Sequence, residues 1–217
     1  MTGRAGDAGV LGLGAVILAA GAGTRLGGVA KALLRHGGKS YLEAICGTAR
    51  AVGLVDAVVV VGAPFAADVA AHARQLGLRV RVNPAPERGM ASSVALGFAA
   101  LANGPATAAW LWPVDHPAVQ PATLRRLVEA LEASDGRGDP DGDRAGHRYE
   151  VAQPRHRGAG GHPPLIRRAL WPALAACAGR ADGARGVLRA ARSIAVEVDD
   201  PGVVRDVDTP ADLETGA

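Results

Sequence analysis

Short, unbroken apolar runs alternate along the chain with stretches whose apolar positions recur every three or four residues. AVILAA over 15–20 and AVVVV over 57–61 contain no polar position. A strand reads this way when both of its faces are covered, as in a parallel sheet flanked by helices. Further strands are predicted over 79–82, 108–114, 148–152, 193–198 and 203–206. Helical periodicity fills the intervals, over 40–52, 66–76, 92–101, 121–134, 164–177 and 183–191. This alternation predicts a single-domain α/β fold with a mostly parallel, doubly wound sheet. Residues 1–14 read as a flexible N-terminal tail and 15–217 as the domain. Such sheets bind ligands beyond the carboxyl ends of their strands, where strand order reverses. That rule directs attention to the positions after Ala20, Val82, Val114 and Val204.

Composition narrows the class. With 48% apolar residues, 21% charged and a net charge of +3 over 217 residues, the chain is neither disordered nor a strong polyanion binder. No basic run is interleaved with aromatics, so neither composition nor pattern points to nucleic acid. Cys46 and Cys177 supply neither a disulfide framework nor a zinc site by themselves. They suit a reducing, cytoplasmic setting. Arg4 followed by the uncharged stretch 8–24 imitates a secretion signal. Asp7 and repeated glycines interrupt it, and its apolar part is shorter than the roughly 20 residues a membrane helix needs. No membrane partner is therefore expected. Lys31 and Lys39 are the lysines among 24 basic residues, the rest being arginines.

The stretch after the first strand, LAAGAGTRLGGVAKALL, is the most informative. Glycines after a parallel strand expose backbone N–H groups to an anion, and Arg25 and Lys31 add fixed positive charge. The P-loop pattern fails, because Val29 and Ala30 separate Gly28 from Lys31. The dinucleotide pattern fails too, because Leu26 holds its third glycine position and no acid ends the second strand. Elsewhere, Asp139, Asp141, Asp143 and Glu150 imitate a calcium loop, but Arg144 holds the place that requires glycine. A solvated acidic loop over 135–146 is the reading.

Asp115 ends the apolar run WLWPVD at the ligand-binding edge of the sheet and lies too far upstream to cap the helix near Pro121. It is the leading metal ligand. Asp206 and Asp208 sit two apart near the end of a predicted strand, a spacing that points side chains the same way. Either or both complete a metal site, or Asp208 opens the D-T-P turn and caps a terminal helix. Ser92 or Ser93 is expected to cap the helix after the third strand.

These segments together resemble the MobA-like nucleotidyltransferases, the group containing molybdenum cofactor cytidylyltransferase. The resemblance runs in order through the LAAG-x-G-x-R-L-G-x-x-x-K loop, NPAPERGMASSVALGF, PVDHP, GGHPPLI, GARGVLR and VVRDVDTPADL. It covers Leu18 to Leu213. It implies the nucleotide-diphospho-sugar transferase type of Rossmann-like sheet. It implies Mg²⁺-dependent transfer of a nucleoside monophosphate to a phosphorylated acceptor, most readily molybdopterin, with release of pyrophosphate. It assigns triphosphate contact to Arg25 and Lys31, with Asp115 completing the catalytic set. It assigns metal contact to Asp115 and the Asp206/Asp208 pair. Leu18, Ala19, Ala20, Gly21, Gly23, Gly89, Met90, Ser92 and Ser93 would contact the nucleotide. The LAAG form accompanies CTP in that group. A molybdoenzyme or its chaperone is the implied partner. His116, after the metal aspartate, departs from the group's usual residue, and His162 sits where the resemblance places the acceptor-side wall. Sugar- or polyol-phosphate transfer and a non-catalytic nucleotide-binding chaperone are the alternatives on the same fold.

Overall fold

The computed structural model describes residues 11–23, 28–134 and 148–207. Arg25, Asp208 and the acidic stretch 135–146 lie outside the described residues. β1 (Leu13–Ala19) is buried along its whole length. It starts ahead of the predicted boundary because Leu11 and Leu13 already enter the core. A small hairpin of β2 (Arg35–His36) and β3 (Lys39–Ser40) leads into α1 (Tyr41–Arg50). Ser40 Oγ accepts from the Glu43 N–H at 3.0 Å, and the Glu43 carboxylate accepts from the Ser40 N–H at 2.5 Å. This reciprocal pair fixes where the helix begins.

The chain continues through β4 (Leu54–Gly62), α2 (Ala66–Gln75), β5 (Arg79–Asn83), α3 (Met90–Leu101), β6 (Ala108–Pro113) and α4 (Pro121–Ala133). It ends through β7 (Val151–His156), β8 (Ala159–Gly160), β9 (Leu165–Arg167), α5 (Trp171–Ala175), α6 (Gly183–Ala190) and β10 (Ser193–Glu197). The main sheet has the order β10-β7-β9-β6-β1-β4-β5, with β8 paired to β7. β1 is parallel to β4 and to β6, and β4 to β5. The chain therefore lays β4 and β5 outward on one side of β1, then crosses to place β6 on the other. Strand order reverses between β1 and β6.

Side chains alternate across this sheet. Ala15 and Ile17 join a core with Leu42 and Ile45 of α1 and Leu124 and Leu127 of α4. Val16 and Leu18 join a second core with Phe98 of α3 and Trp171 of α5. Both faces are covered, as the unbroken apolar runs demand. α3 packs tightly on the sheet at Gly97, where a Cβ would stand 2.2 Å from Val16 Cγ1.

Three expectations are corrected. The predicted helix 164–177 is instead β9, running antiparallel between β6 and β7, with α5 beginning only at Trp171. Pro163 and Pro164 hold the chain extended, and Pro172 favours a first helical turn. The predicted strand 203–206 is instead the end of a tight 3₁₀ turn, Pro201–Val203, followed by irregular chain. Asp200 caps this turn, with Oδ1 accepting from the Gly202 N–H at 3.0 Å. The strand predicted over 148–152 lies further on, at Val151–His156.

Candidate active site

A cavity of about 210 Å³ opens at the point where strand order reverses. Its wall from the β1 side is Leu18, Ala19, Ala20, Gly21 and Gly23, and from the β6 side Pro113, Val114 and Asp115. Gly89, Met90 and Ser93 close it from the start of α3, and Lys31 enters from the glycine loop. The Val114 N–H donates to the Leu18 carbonyl at 3.1 Å, tying the two strand ends together. Nearly all the nucleotide contacts named from sequence thus meet in one place.

Local chemistry explains the loop. Gly23 sits at φ +59°, and a Cβ there would lie 2.0 Å from the Val29 carbonyl oxygen. Only glycine permits that return of the chain. The Gly28 N–H closes it by donating to the Gly23 carbonyl at 3.0 Å. The loop then delivers Lys31, whose Nζ lies 3.4 Å from Asp115 Oδ2. Lys39, by contrast, is exposed on the hairpin.

Asp115 carries the site's clearest electrostatic signal. Its Oδ1 is buried and has no hydrogen-bond partner among the described residues. His116 Nε2 lies 3.9 Å away, beyond hydrogen-bond range. A buried carboxylate oxygen left so is costly unless a cation or ligand donor meets it. The site fits a divalent ion in this respect. Among the described residues, no group of three or more His, Cys, Asp or Glu side chains could hold a metal. The fit is therefore to an ion that takes one or two carboxylates and completes its shell with phosphate oxygens and water, the habit of Mg²⁺. Asp206 is exposed, and the next residue's N–H, on Val207, donates to the Asp115 carbonyl at 3.0 Å. The two carboxylates thus share one end of the sheet.

Beyond Asp115 lie two imidazoles. The His116 and His162 rings pack against each other, tilted by 44° with centroids 5.1 Å apart. The His162 N–H donates to the Val203 carbonyl at 2.7 Å, docking the G-H-P segment on the turn that leads to Asp206. Burial, and then the neighbouring His116, push the His162 imidazole down to about 4, against the opposing pull of Asp115 and Asp206. It is therefore neutral near pH 7.

The serine expectation is corrected. α3 starts at Met90 with Gly89 as its N-cap, and no side chain caps it. Ser92 and Ser93 are buried inside the first turn, where Asn83 Nδ2 donates to both hydroxyl oxygens, at 2.8 and 2.9 Å. Ser93 faces the cavity and Ser92 lies behind it. Sequence reasoning missed Asn83, although its position after Val82 was one of the strand ends to inspect. It also missed Asp200, whose Oδ2 accepts from the Gln120 N–H at 2.8 Å and from Thr123 Oγ1 at 2.7 Å. That carboxylate anchors the start of α4 from outside the helix, while no side chain caps the helix itself.

The MobA-like NTP transferase domain matches this chain over residues 15–196. The nicotine blue oxidoreductase of Paenarthrobacter nicotinovorans is 32% identical to it over 196 residues, 89% of this chain and 91% of that protein. The crystal structure of Rv0371c from Mycobacterium tuberculosis H37Rv superposes with a TM-score of 0.71 at 30% identity, covering 94% of this chain and 96% of that one. Rv0371c in complex with manganese matches with a TM-score of 0.66 at 27% identity, over 94% and 96% of the two chains. A nucleotidyl transferase from Methanothermobacter shares the fold, with a TM-score of 0.71 at 23% identity over 95% and 96%. No helix among the described residues is long and apolar enough to cross a membrane.

Proposed function

The chain belongs to the MobA-like NTP transferase family, and from that premise we propose that it transfers CMP from CTP to the phosphate of molybdopterin. An acceptor phosphate oxygen forms a bond to the α-phosphorus of CTP. The bond from that phosphorus to the β-phosphate bridging oxygen breaks, and pyrophosphate leaves with the electron pair. The observation that supports this reading is the pairing of Lys31 with Asp115 across a cavity at the reversal of strand order, with Asp115 Oδ1 buried and unmatched.

Two anions must approach each other in this reaction, so placement and charge compensation supply most of the catalysis. Lys31 lies within reach of the triphosphate and gives it a compact positive charge. Arg25, in the same loop, is assigned the same partner. Asp115, with Asp206 or Asp208, would hold a divalent ion, Mg²⁺ by preference. When bound, such an ion neutralises phosphate charge and orients the phosphoryl oxygens. The manganese complex of Rv0371c supports a divalent ion in this family. The neutral His162 and its ring neighbour His116 line the far side of Asp115, where the acceptor would lie. The LAAG form of residues 18–21 favours CTP. The product would pass to a molybdoenzyme or its chaperone.

Pyrophosphate release from CTP, measured against molybdopterin and a panel of sugar and polyol phosphates, tests the proposal. Molybdopterin-dependent release supports it, and release with a sugar phosphate alone replaces the acceptor. Asp115→Ala is expected to reduce turnover by at least about a hundredfold while CTP still binds. A variant that keeps full cofactor delivery would instead identify a non-catalytic carrier. A second reading is favoured by the 32% identity to a nicotine blue oxidoreductase. In that reading the same cavity would hold the nucleotide part of an electron-carrying cofactor. Consumption of NADH or NADPH with a quinonoid dye, together with no release of pyrophosphate, would establish it in place of the first.

A further inference from the structure

We infer that Asn83 is a positioning residue that turns the Ser93 hydroxyl into a hydrogen-bond donor aimed at the nucleotide. This rests on the nucleotide-binding reading of the cavity given above. Asn83 is 3% exposed and ends β5, facing the first turn of α3. Its side-chain orientation is fixed by one bond: the Ala85 N–H meets Oδ1 at 3.0 Å. A backbone N–H can only donate, so the atom it meets must be the carbonyl oxygen. The other end is then NH₂, and its two protons go to Ser92 Oγ at 2.8 Å and Ser93 Oγ at 2.9 Å. Both serine oxygens are thereby forced to accept.

The serine protons must go elsewhere. Ser92 Oγ lies 2.7 Å from the Gly89 carbonyl and donates there, so its hydroxyl is used on both sides. Ser93 is the member of the pair that lines the cavity. Its remaining proton points to whatever occupies that space. The cavity that Ser93 lines also has apolar walls, Pro86, Phe65 and Val69 among them, so an occupant that offers Ser93 a lone pair gains a bond there. The geometry selects a carbonyl or ring-nitrogen acceptor on the base, or a ribose oxygen, and disfavours an N–H at the same place.

Asn83→Asp tests this almost isosterically. A carboxylate still accepts from Ala85, but its other oxygen also accepts, so Ser93 must donate inward and show the cavity only lone pairs. Calorimetric titration of the full chain with CTP is expected to show about tenfold weaker binding for Asn83→Asp, and a comparable loss for Ser93→Ala. The double variant is expected to bind no more weakly than Asn83→Asp alone, because both changes remove the same bond. If the aspartate acted only by repelling phosphate, its effect would persist undiminished in the Ser93→Ala background, and that additivity would overturn the inference. Unchanged CTP affinity in folded Ser93→Ala would overturn it too, and needs no folded Asn83 variant. Melting curves of every variant establish that the measured protein is folded. If the wild-type chain binds CTP while Asn83→Asp binds it equally well, the role of Asn83 fails and the nucleotide reading stands. If the wild-type chain binds no nucleoside triphosphate, the nucleotide reading itself fails.

Discussion

At the scale of single residues, the Lys31–Asp115 pair decides the most. In a chain whose basic residues are otherwise almost all arginine, an ammonium stands 3.4 Å from the carboxylate. Opposite unit charges about 4 Å apart attract by roughly 4 kcal/mol at an effective dielectric near 20. A single Nζ can hold this contact and still turn toward phosphate. A guanidinium would grip Asp115 with two parallel bonds and resist release. Lys31→Arg is therefore expected to lower kcat by at least about tenfold with little change in Tm, measured by steady-state pyrophosphate release and by melting. Both residues are legible from sequence, because each terminates a local pattern: a glycine loop and an apolar strand. Asn83 and Asp200 are not. Their partners lie on other elements, Ser92 and Ser93 on α3 for one and Thr123 on α4 for the other. Nothing near them in the chain announces those contacts.

At the scale of elements, two helices show what packing and capping contribute. Ser40 Oγ accepts from the Glu43 N–H and lies 2.7 Å from His72 Nε2, so it joins the start of α1 to α2. Ser40→Ala is expected to cost about 1–2 kcal/mol, read as a lower urea midpoint at unchanged slope. The Ser40 N–H, and then the Ser40 hydroxyl, hold the Glu43 carboxyl below its usual range. A carboxyl depressed in the folded state stabilises fully above its unfolded value of about 4.3. That contribution disappears as pH falls through the lower, folded value. Glu43→Gln is accordingly expected to flatten the dependence of the urea midpoint on acid pH. At α3, Gly97→Ala drives a methyl into Val16 and is expected to cost about 1–3 kcal/mol by the same measurement. Elements with long, clean periodicity, such as α1, α2 and α4, match their predicted spans closely. β9 does not, because a strand of three residues, Leu165–Arg167, carries too little pattern to be separated from a helix. What makes it a strand is the space between β6 and β7, a property of the assembled sheet.

At the scale of the whole molecule, both cores run across the sheet. One draws on β4, β1 and β6 and extends to Val196 of β10. Local failure on either side of the sheet therefore removes packing from the other, and unfolding is expected to be a single transition. A ligand of the cavity stabilises that whole unit. CTP at a hundred times its Kd is expected to add about 2.7 kcal/mol, raising Tm by roughly 5–10 °C for a domain of this size. Differential scanning calorimetry with and without CTP measures this, and a chelator is expected to reduce the shift if a divalent ion accompanies the nucleotide. The α/β class and the place of the site follow from sequence alone, since alternation dictates parallel strands and parallel strands dictate where ligands bind. The antiparallel insertion of β9 between β6 and β7 does not follow.

The reversal of strand order between β1 and β6 also divides labour along the chain. Among the described residues, the side chains and glycines that would grip the nucleotide run up to Ser93 and sit on the β1–β4–β5 side. The imidazole pair, the 201–203 turn and Asp206 come later and sit on the β6–β7 side, with Asp115 on the seam. On the proposed reading, the nucleotide and its acceptor would be held by separate halves of the sequence. Inheritance can rewrite the second half for a new acceptor while leaving the first intact, and a laboratory exchange of residues 116–207 between relatives would be cut along the same line.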